Sequence, residues 1–115
     1  MRAQGLPPDR KLRRRSEFQR VFDDGRRTHG RLFTAVAAPS PAATTRLGIV
    51  ASRKLGGAVT RNRAKRLIRE VFRTSDHRGR PLDLVIIPKN ALLSADVEGL
   101  RQEFQAVLRR CLSSL

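Results

Sequence analysis

An α+β sandwich built as one domain is the fold this chain predicts, and three observations carry that prediction. Runs of aliphatic and β-branched residues at 31–38, 46–52 and 82–87 read as strands. Residues 58–73, and a stretch beginning near Ser94 or Asp96, repeat apolar side chains at three- and four-residue spacing and read as amphipathic helices. The length, 115 residues, suits a single modest core.

In chain order, residues 1–10 read as a flexible arm, because Gly5, Pro7 and Pro8 oppose regular structure. The basic run Lys11-Leu12-Arg13-Arg14-Arg15 follows. Ser16 then reads as a helix N-cap, with Gln19 completing a capping box, and Gly25 as the residue that ends the helix. Between them Phe18, Val21 and Phe22 share one side. Leu32 to Val36 mark the first strand, and Pro39 to Thr45 a loop. Leu47 to Ala51 mark a second strand, expected to pair antiparallel with the first. Lys54-Leu55-Gly56-Gly57 turns into a helix at Ala58. His77 to Pro81 reads as a loop. Leu82 to Ile87 is a nearly continuous apolar run, the pattern of a strand covered on both faces, and Pro88 stops it. The last helix has a seam of Val97, Leu100, Phe104, Val107, Leu108 and Cys111. The order is α-β-β-α-β-α, with no repeat, linker or second domain within residues 1–115. The path from the second strand through the helix to 82–87 reads as a βαβ crossover, right-handed by general statistics.

The helix from Ala58 is the most informative segment. With Arg61 at 0° and about 100° per residue, Ala64, Leu67, Ile68, Val71 and Phe72 fall between roughly 240° and 20°. Arg61, Asn62, Lys65, Arg66, Arg69 and Arg73 fall between roughly 0° and 140°. Arg63 lies apart, and Glu70 is the one acid. A solvated helix intersperses acids at i±4; a stripe of like charge instead suits a polyanion. A plain solvated basic face is the alternative reading.

Composition favours the polyanion. The chain carries 25 Lys+Arg against 10 Asp+Glu, a formal charge of +15, and such an excess repels itself in a compact state. Nucleic acid is the first candidate and an anionic membrane surface the second, disfavoured because the basic helix lacks Trp and its apolar side is committed to a core. No apolar run approaches the ~20 residues of a membrane span. The N-terminus lacks the apolar core of a secretory signal. One cysteine, Cys111, leaves no internal disulfide framework. These features read as cytoplasmic.

The chemistry of a protein nuclease is not visible. Metal-assisted hydrolysis needs clustered carboxylates, and acid–base work a paired histidine. Only Asp23 and Asp24 adjoin, beside basic residues, and His29 and His77 stand in loops without partners. There is no Cys/His metal spacing and no phosphate-cradling glycine loop. The residues read as a binder with no catalytic group and no metal of its own. Of the five phenylalanines, Phe18 and Phe22, one helical turn apart, are the candidates for stacking on bases, with core packing as the even alternative. Phe33, Phe72 and Phe104 fit core periodicities.

Residues 12–73 resemble the protein subunit of bacterial ribonuclease P. The match runs through Leu12 and its basic followers, Phe18-Gln19-Arg20-Val21-Phe22, Gly25, Arg46-Leu47-Gly48-Ile49-Val50-Ala51-Ser52-Arg53-Lys54, and Gly56 with Ala58-Val59. Its hallmark is Arg61-Asn62-Arg63 followed by Lys65-Arg66-Leu67-Ile68-Arg69. Asp83 to Lys89 fits the family's last strand, less specifically. The resemblance implies a two-layer α/β sandwich with three helices, a mixed sheet of about four strands and a left-handed crossover in place of the right-handed one.

In function, the resemblance implies a ribonucleoprotein that removes 5′ leaders from precursor tRNA. A large RNA is its catalyst and uses Mg2+, held mainly by RNA. It implies that Arg61, Asn62, Arg63, Lys65, Arg66, Arg69 and Arg73 contact RNA. It likewise implies that Phe18, Phe22, Val36, Ser52, Arg53, Lys54 and Lys89 line a cleft for the precursor tRNA leader. Val36 stands where many relatives have a tyrosine, so that position offers no stacking ring. The partners implied are the ribonuclease P catalytic RNA and the leader, with no membrane and no obligate protein partner. A small basic structural protein of the ribosome is the alternative on composition.

Overall fold

The structure, a computed structural model, describes residues 6–75 and 80–114. A four-stranded mixed sheet runs in the order β1-β2-β4-β3, with β1 Arg26–His29, β2 Phe33–Pro39, β3 Arg46–Ile49 and β4 Leu82–Pro88. Three α-helices accompany it: α1 Arg15–Asp24, α2 Ala58–Arg73 and α3 Val97–Ser114. Short 3-10 turns lie at Pro8–Arg10, Arg53–Leu55 and Asn90–Ser94. The α+β class and the two amphipathic helices stand as expected from sequence.

The pairing of strands does not. β2 and β3 are not neighbours: β4 lies between them, antiparallel to β2 and parallel to β3. The reason lies in β4 itself. Leu82 to Ile86 are all buried, so the strand takes the central place where both edges and both faces are covered. The fourth strand, β1, carries the sequence Arg-Arg-Thr-His and pairs with β2 along one edge. It has no apolar alternation to reveal it, because a short charged edge strand needs none.

Side chains alternate across the sheet and divide it into two layers. Phe33, Ala35 and Ala37 of β2 with Leu82, Leu84 and Ile86 of β4 meet Ala64, Ile68, Val71 and Phe72 of α2 and Leu100, Phe104, Val107 and Leu108 of α3 in the main core. Phe104 sits between Phe33 and Phe72, with ring centroids 6.0 and 6.3 Å away. The opposite face holds a smaller cluster of Leu12, Val21, Val36 and Val85, with Phe18, Phe22 and Ile87 packed against it. Helix α1 covers that face only in part.

α1 is capped at Arg14, not Ser16: Arg13 and Arg14 donate backbone N–H groups to Glu17 Oε1 at 2.7 and 3.0 Å. A carboxylate at the third helical position is a stronger acceptor than the hydroxyl of Ser16, which falls inside the first turn. Gln19 instead donates to Asp23 one turn on. Gly25 ends the helix in extended backbone. α3 begins after Asp96, whose Oδ1 accepts the Gly99 N–H at 2.7 Å. Residues 6–10 are not a free arm. Leu6 is buried in the main core, and Arg10 Nε donates to the Thr45 carbonyl at 2.9 Å. Residues 1–5 of that expected arm, and most of the loop read around His77, lie outside the described residues.

Candidate nucleic-acid interface

α2 carries the sequence-predicted RNA face, and its burial follows the helical wheel. Ala64, Ile68, Val71 and Phe72 are buried. Asn62, Arg63, Arg66 and Arg73 are exposed, while Arg61, Lys65 and Arg69 are half-buried at the border of the two sides. Two of these cations have protein partners. Arg61 donates to the Gly56 carbonyl at 3.1 Å, and Arg73 pairs with Glu70 at 2.7 Å. Arg61 therefore ties the helix to the turn before it. In that turn Gly56 has φ +146°, a conformation that a side chain would strain. The exposed face of Asn62, Arg63 and Arg66 and the flank of Lys65 and Arg69 remain to meet an anion.

The residues expected around a leader cleft fall on α1, on β2 and on the turns that follow β3 and β4. Phe18 and Phe22 are half-buried on α1. The Phe18 ring lies edge-on against β3 at Gly48, where an added Cβ would stand 2.5–2.6 Å from ring carbons, so only glycine admits the ring there. Phe22 stands one turn away with the Arg27 guanidinium 5.7 Å from its ring centre. Val36 does not belong to the exposed site. It is 1 % exposed, sealed among Leu12, Val21 and Val85. Ser52, Arg53 and Lys54 are exposed on the 3-10 turn that follows β3, anchored by buried Leu55. Lys89 follows β4 and donates from Nζ to the Gly30 carbonyl at 2.7 Å. Because β3 and β4 are parallel, these four residues share the carboxyl end of the sheet with the start of α2.

One arrangement was not visible in the sequence. Between α1, the β3 edge and α2 lies an open cavity of about 140 Å3. Phe18, Leu6, Leu12 and Ile49 supply its apolar wall, and Lys11, Lys65 and Arg69 its cations. It places an α1 aromatic beside two cations of the α2 stripe, two features assigned from sequence to separate surfaces. Lys11 reaches the cavity because the chain before α1 runs along β3, with the Leu12 N–H donating to the Leu47 carbonyl at 2.9 Å. The basic run at 11–15 was the only sequence signal for it.

A second feature positions α1. Asp83, fully buried in β4, accepts two hydrogen bonds from Arg46 at 2.8 and 2.9 Å and pairs with Arg20 of α1. Arg46 also meets Glu17 of α1 at 3.3 Å. Carboxylates alternate with guanidiniums, so each buried charge is compensated. The Arg14 and Arg13 N–H groups, and after them the Arg46 charge, hold the Glu17 carboxyl below its ordinary value. Hydrogen bonding to Asp83 holds Arg46 protonated. Burial pushes the Cys111 thiol up, as suits an inert core side chain.

Among the described residues no three His, Cys, Asp or Glu side chains converge as a metal site would require. His29 lies on β1, with Nδ1 3.3 Å from the Thr34 hydroxyl, in a strand rather than the loop expected. No helix among the described residues is long and apolar enough to cross a membrane.

Comparison with known proteins bears on all of this. The family model for ribonuclease P matches residues 6–112. A ribonuclease P protein component from Desulfatibacillum aliphaticivorans is 42% identical over 84 residues, 72% of this chain and 71% of the relative. One from an Exiguobacterium species is 39% identical over 99 residues, 83% of this chain and 87% of the relative. Among solved structures, the RNase P protein of Thermotoga maritima superposes with a TM-score of 0.78 at 31% identity, covering 87% of this chain and 96% of that one. The Staphylococcus aureus RNase P protein gives 0.77 at 28% identity, covering 87% and 93%.

Proposed function

The chain belongs to the ribonuclease P protein family, and from that premise we propose how this tRNA-processing subunit works. Membership makes ribonuclease P RNA its partner and favours this role over that of a ribosomal structural protein. In our reading the α2 face of Asn62, Arg63, Arg66 and Arg69 binds the catalytic RNA through its phosphates. The half-exposed Phe18 and Phe22 rings of α1, with Ser52, Arg53, Lys54 and Lys89, receive the single-stranded 5′ leader of precursor tRNA. Stacking suits a leader of any sequence, since every base has a π-face.

The RNA performs the magnesium-dependent cleavage, and the protein alone is inactive. Magnesium needs several hard oxygen donors. Of the described acids, Asp83 and Glu17 are committed to arginines and Glu70 to Arg73. No step is therefore assigned to a metal on the protein. The reading places the chain in the cytoplasm, where tRNA is matured, without an obligate protein partner. The observation that carries it is the unneutralised cationic flank of α2 set directly beside the aromatic side of α1.

Reconstitution tests it. Purified chain added to a bacterial ribonuclease P RNA should promote accurate leader removal at low magnesium, while RNA-free protein leaves the precursor intact. Cleavage by the protein alone, or no effect on the RNA, would overturn the proposal. Phosphate contacts also predict steep salt dependence through counterion release. Arg69→Ala should lower the slope of log K against log salt by roughly one unit, as for one lost phosphate contact. An unchanged slope would place Arg69 outside the contact.

A further inference from the structure

We infer that residues 6–12 form a strap whose docking on the β3 edge sets the separation of α1 from α2, and that Arg10 is the positioning residue that fastens it. The inference rests on the RNA-binding reading above and concerns what holds its two surfaces in place relative to each other.

The first observation is the path of the strap. Leu6 is buried in the main core and Leu12 in the small cluster on the opposite face of the sheet. Between them the chain passes around β3, an edge strand. Lys11 bridges Leu47 in parallel, and the Leu12 N–H donates to the Leu47 carbonyl. The second is the fastening. Thr44 donates its hydroxyl to the Asp9 carbonyl at 3.0 Å. Arg10 donates from Nε to the Thr45 carbonyl at 2.9 Å and lays its guanidinium over the Phe72 ring of α2, 5.3 Å from the centre. One side chain thus ties the strap both to the entry of β3 and to α2. Pro7 and Pro8 fix their own φ angles, which stiffens the segment as it leaves the core. The third is the lack of slack. α1 starts at Arg15, three residues after Leu12, so its first turn lies within ~11 Å of the docked strap. Leu6, Lys11 and Leu12 line the cavity that separates Phe18 of α1 from Lys65 and Arg69 of α2.

The ionic network of Glu17, Arg20, Arg46 and Asp83 fixes α1 to the sheet but does not reach α2. The strap reaches both. Two binding surfaces on one rigid frame engage their targets together, and a loose frame forfeits that advantage. Undocking therefore weakens a ligand that needs both surfaces and spares one that needs a single surface.

The separation is read on the protein alone. Nitroxide labels on Gln19→Cys of α1 and Arg66→Cys of α2, both exposed positions, report it by pulsed electron paramagnetic resonance, and buried Cys111 stays unlabelled. The labelled parent should give one narrow distance distribution, and Leu6→Ala combined with Arg10→Ala a broader one. Arg10→Ala alone should speed exchange of the Leu12 amide about tenfold, the worth of one cation–π contact and one hydrogen bond, with the Val85 and Ile86 amides of β4 unchanged. Arg10→Lys keeps a cation near Phe72 and should recover part of that protection. In the reconstituted complex the double variant should weaken precursor tRNA about three- to tenfold, as the docked arrangement falls to about a third to a tenth of the population. Affinities for mature tRNA and for the catalytic RNA should hold, as should kcat at saturating precursor. An unchanged distance distribution, or equal losses for all three RNAs, would overturn the inference. If the double variant does not fold, Thr44→Val decides, since it removes only the bond to Asp9. Leu12 exchange should then rise and precursor affinity fall with mature tRNA unaffected; no change in either sinks the strap. A parent chain that fails to reconstitute counts against the family-based role, while the distance distribution still decides for or against the strap.

Discussion

The two faces of the sheet are built by different physics. On one, α2 and α3 press Phe72, Ile68, Leu100 and Phe104 onto Phe33, Leu84 and Ile86, and contact is almost wholly apolar. On the other, α1 brings only Val21 and parts of two phenylalanines, and much of its attachment runs through Arg20, Glu17, Arg46 and Asp83. Apolar burial is non-directional and scales with area, so the first face sets stability. Charge-assisted hydrogen bonds are directional. They fix where α1 lies without requiring its rings to be swallowed. That division leaves Phe18 and Phe22 half-exposed at a defined position, as a binding surface needs.

The largest effect that would break this comparison is in the main core. Phe72→Ala should cost about 3–5 kcal/mol in unfolding free energy, the range for a fully buried aromatic. A denaturant titration showing a loss under 1 kcal/mol would mean that the α2–α3 face does not carry the fold. Next comes Asp83→Asn. Removing the acid leaves Arg46 and Arg20 without their shared partner, and breaking such a pair costs about 3–5 kcal/mol when fully buried. Arg20 is one-third exposed, so the low end applies. If directional bonds place α1, this variant should also weaken precursor tRNA binding more than Phe72→Ala does at matched folded fraction. Equal effects on binding would mean that Asp83 only adds stability.

How much of this was legible follows the same divide. The α2 helix, the buried central strand and the α3 seam were readable because apolar burial imprints a period on sequence. The charged edge strand β1 left no such imprint, and neither did the order of strands. β4 inserts between β2 and β3 because of its burial on both faces, which the sequence showed, yet local pairing of consecutive strands was the simpler expectation. The proposed binding surface divides in the same way. The cations of α2 could be placed on one side by wheel geometry alone. Their meeting with Phe18 across the β3 edge could not, since it depends on the segment at 6–12, which runs along that edge instead of hanging free. Val36 was misplaced because alternation tells which face a strand residue takes, not whether a helix closes over it.

Phe22→Ala sharpens the comparison from the binding side. The ring packs partly on the small cluster and partly beneath Arg27. If it stacks on a leader base, precursor tRNA affinity should fall by about 1–3 kcal/mol while mature tRNA affinity holds. The stability cost should be well below that of Phe72→Ala, because less of the ring is buried. A large drop in melting temperature, with equal losses for precursor and mature tRNA, would return Phe22 to the core and leave Phe18 as the only α1 ring in the site.

The smallest effect concerns how α1 begins. Glu17 accepts two backbone N–H groups at the helix start and faces Arg46, and these hold its carboxyl below the ordinary value. A carboxyl whose value is lowered on folding stabilises the protein when ionised. That contribution is complete above the unfolded value of about 4.3 and is lost as pH falls through the lower folded value. Glu17→Gln keeps the shape but removes the charge. At pH 7 it should cost about 1 kcal/mol, the typical worth of a helix cap. The gap between the variant and the parent chain should close as pH falls below the unfolded value of about 4.3 and through the lower folded value, where the parent's Glu17 is also neutralised. Chemical denaturation at a series of pH values reads this directly. A gap that stays constant into acid would mean that the Glu17 charge contributes nothing, and that α1 is started by hydrogen bonds a neutral amide supplies equally well.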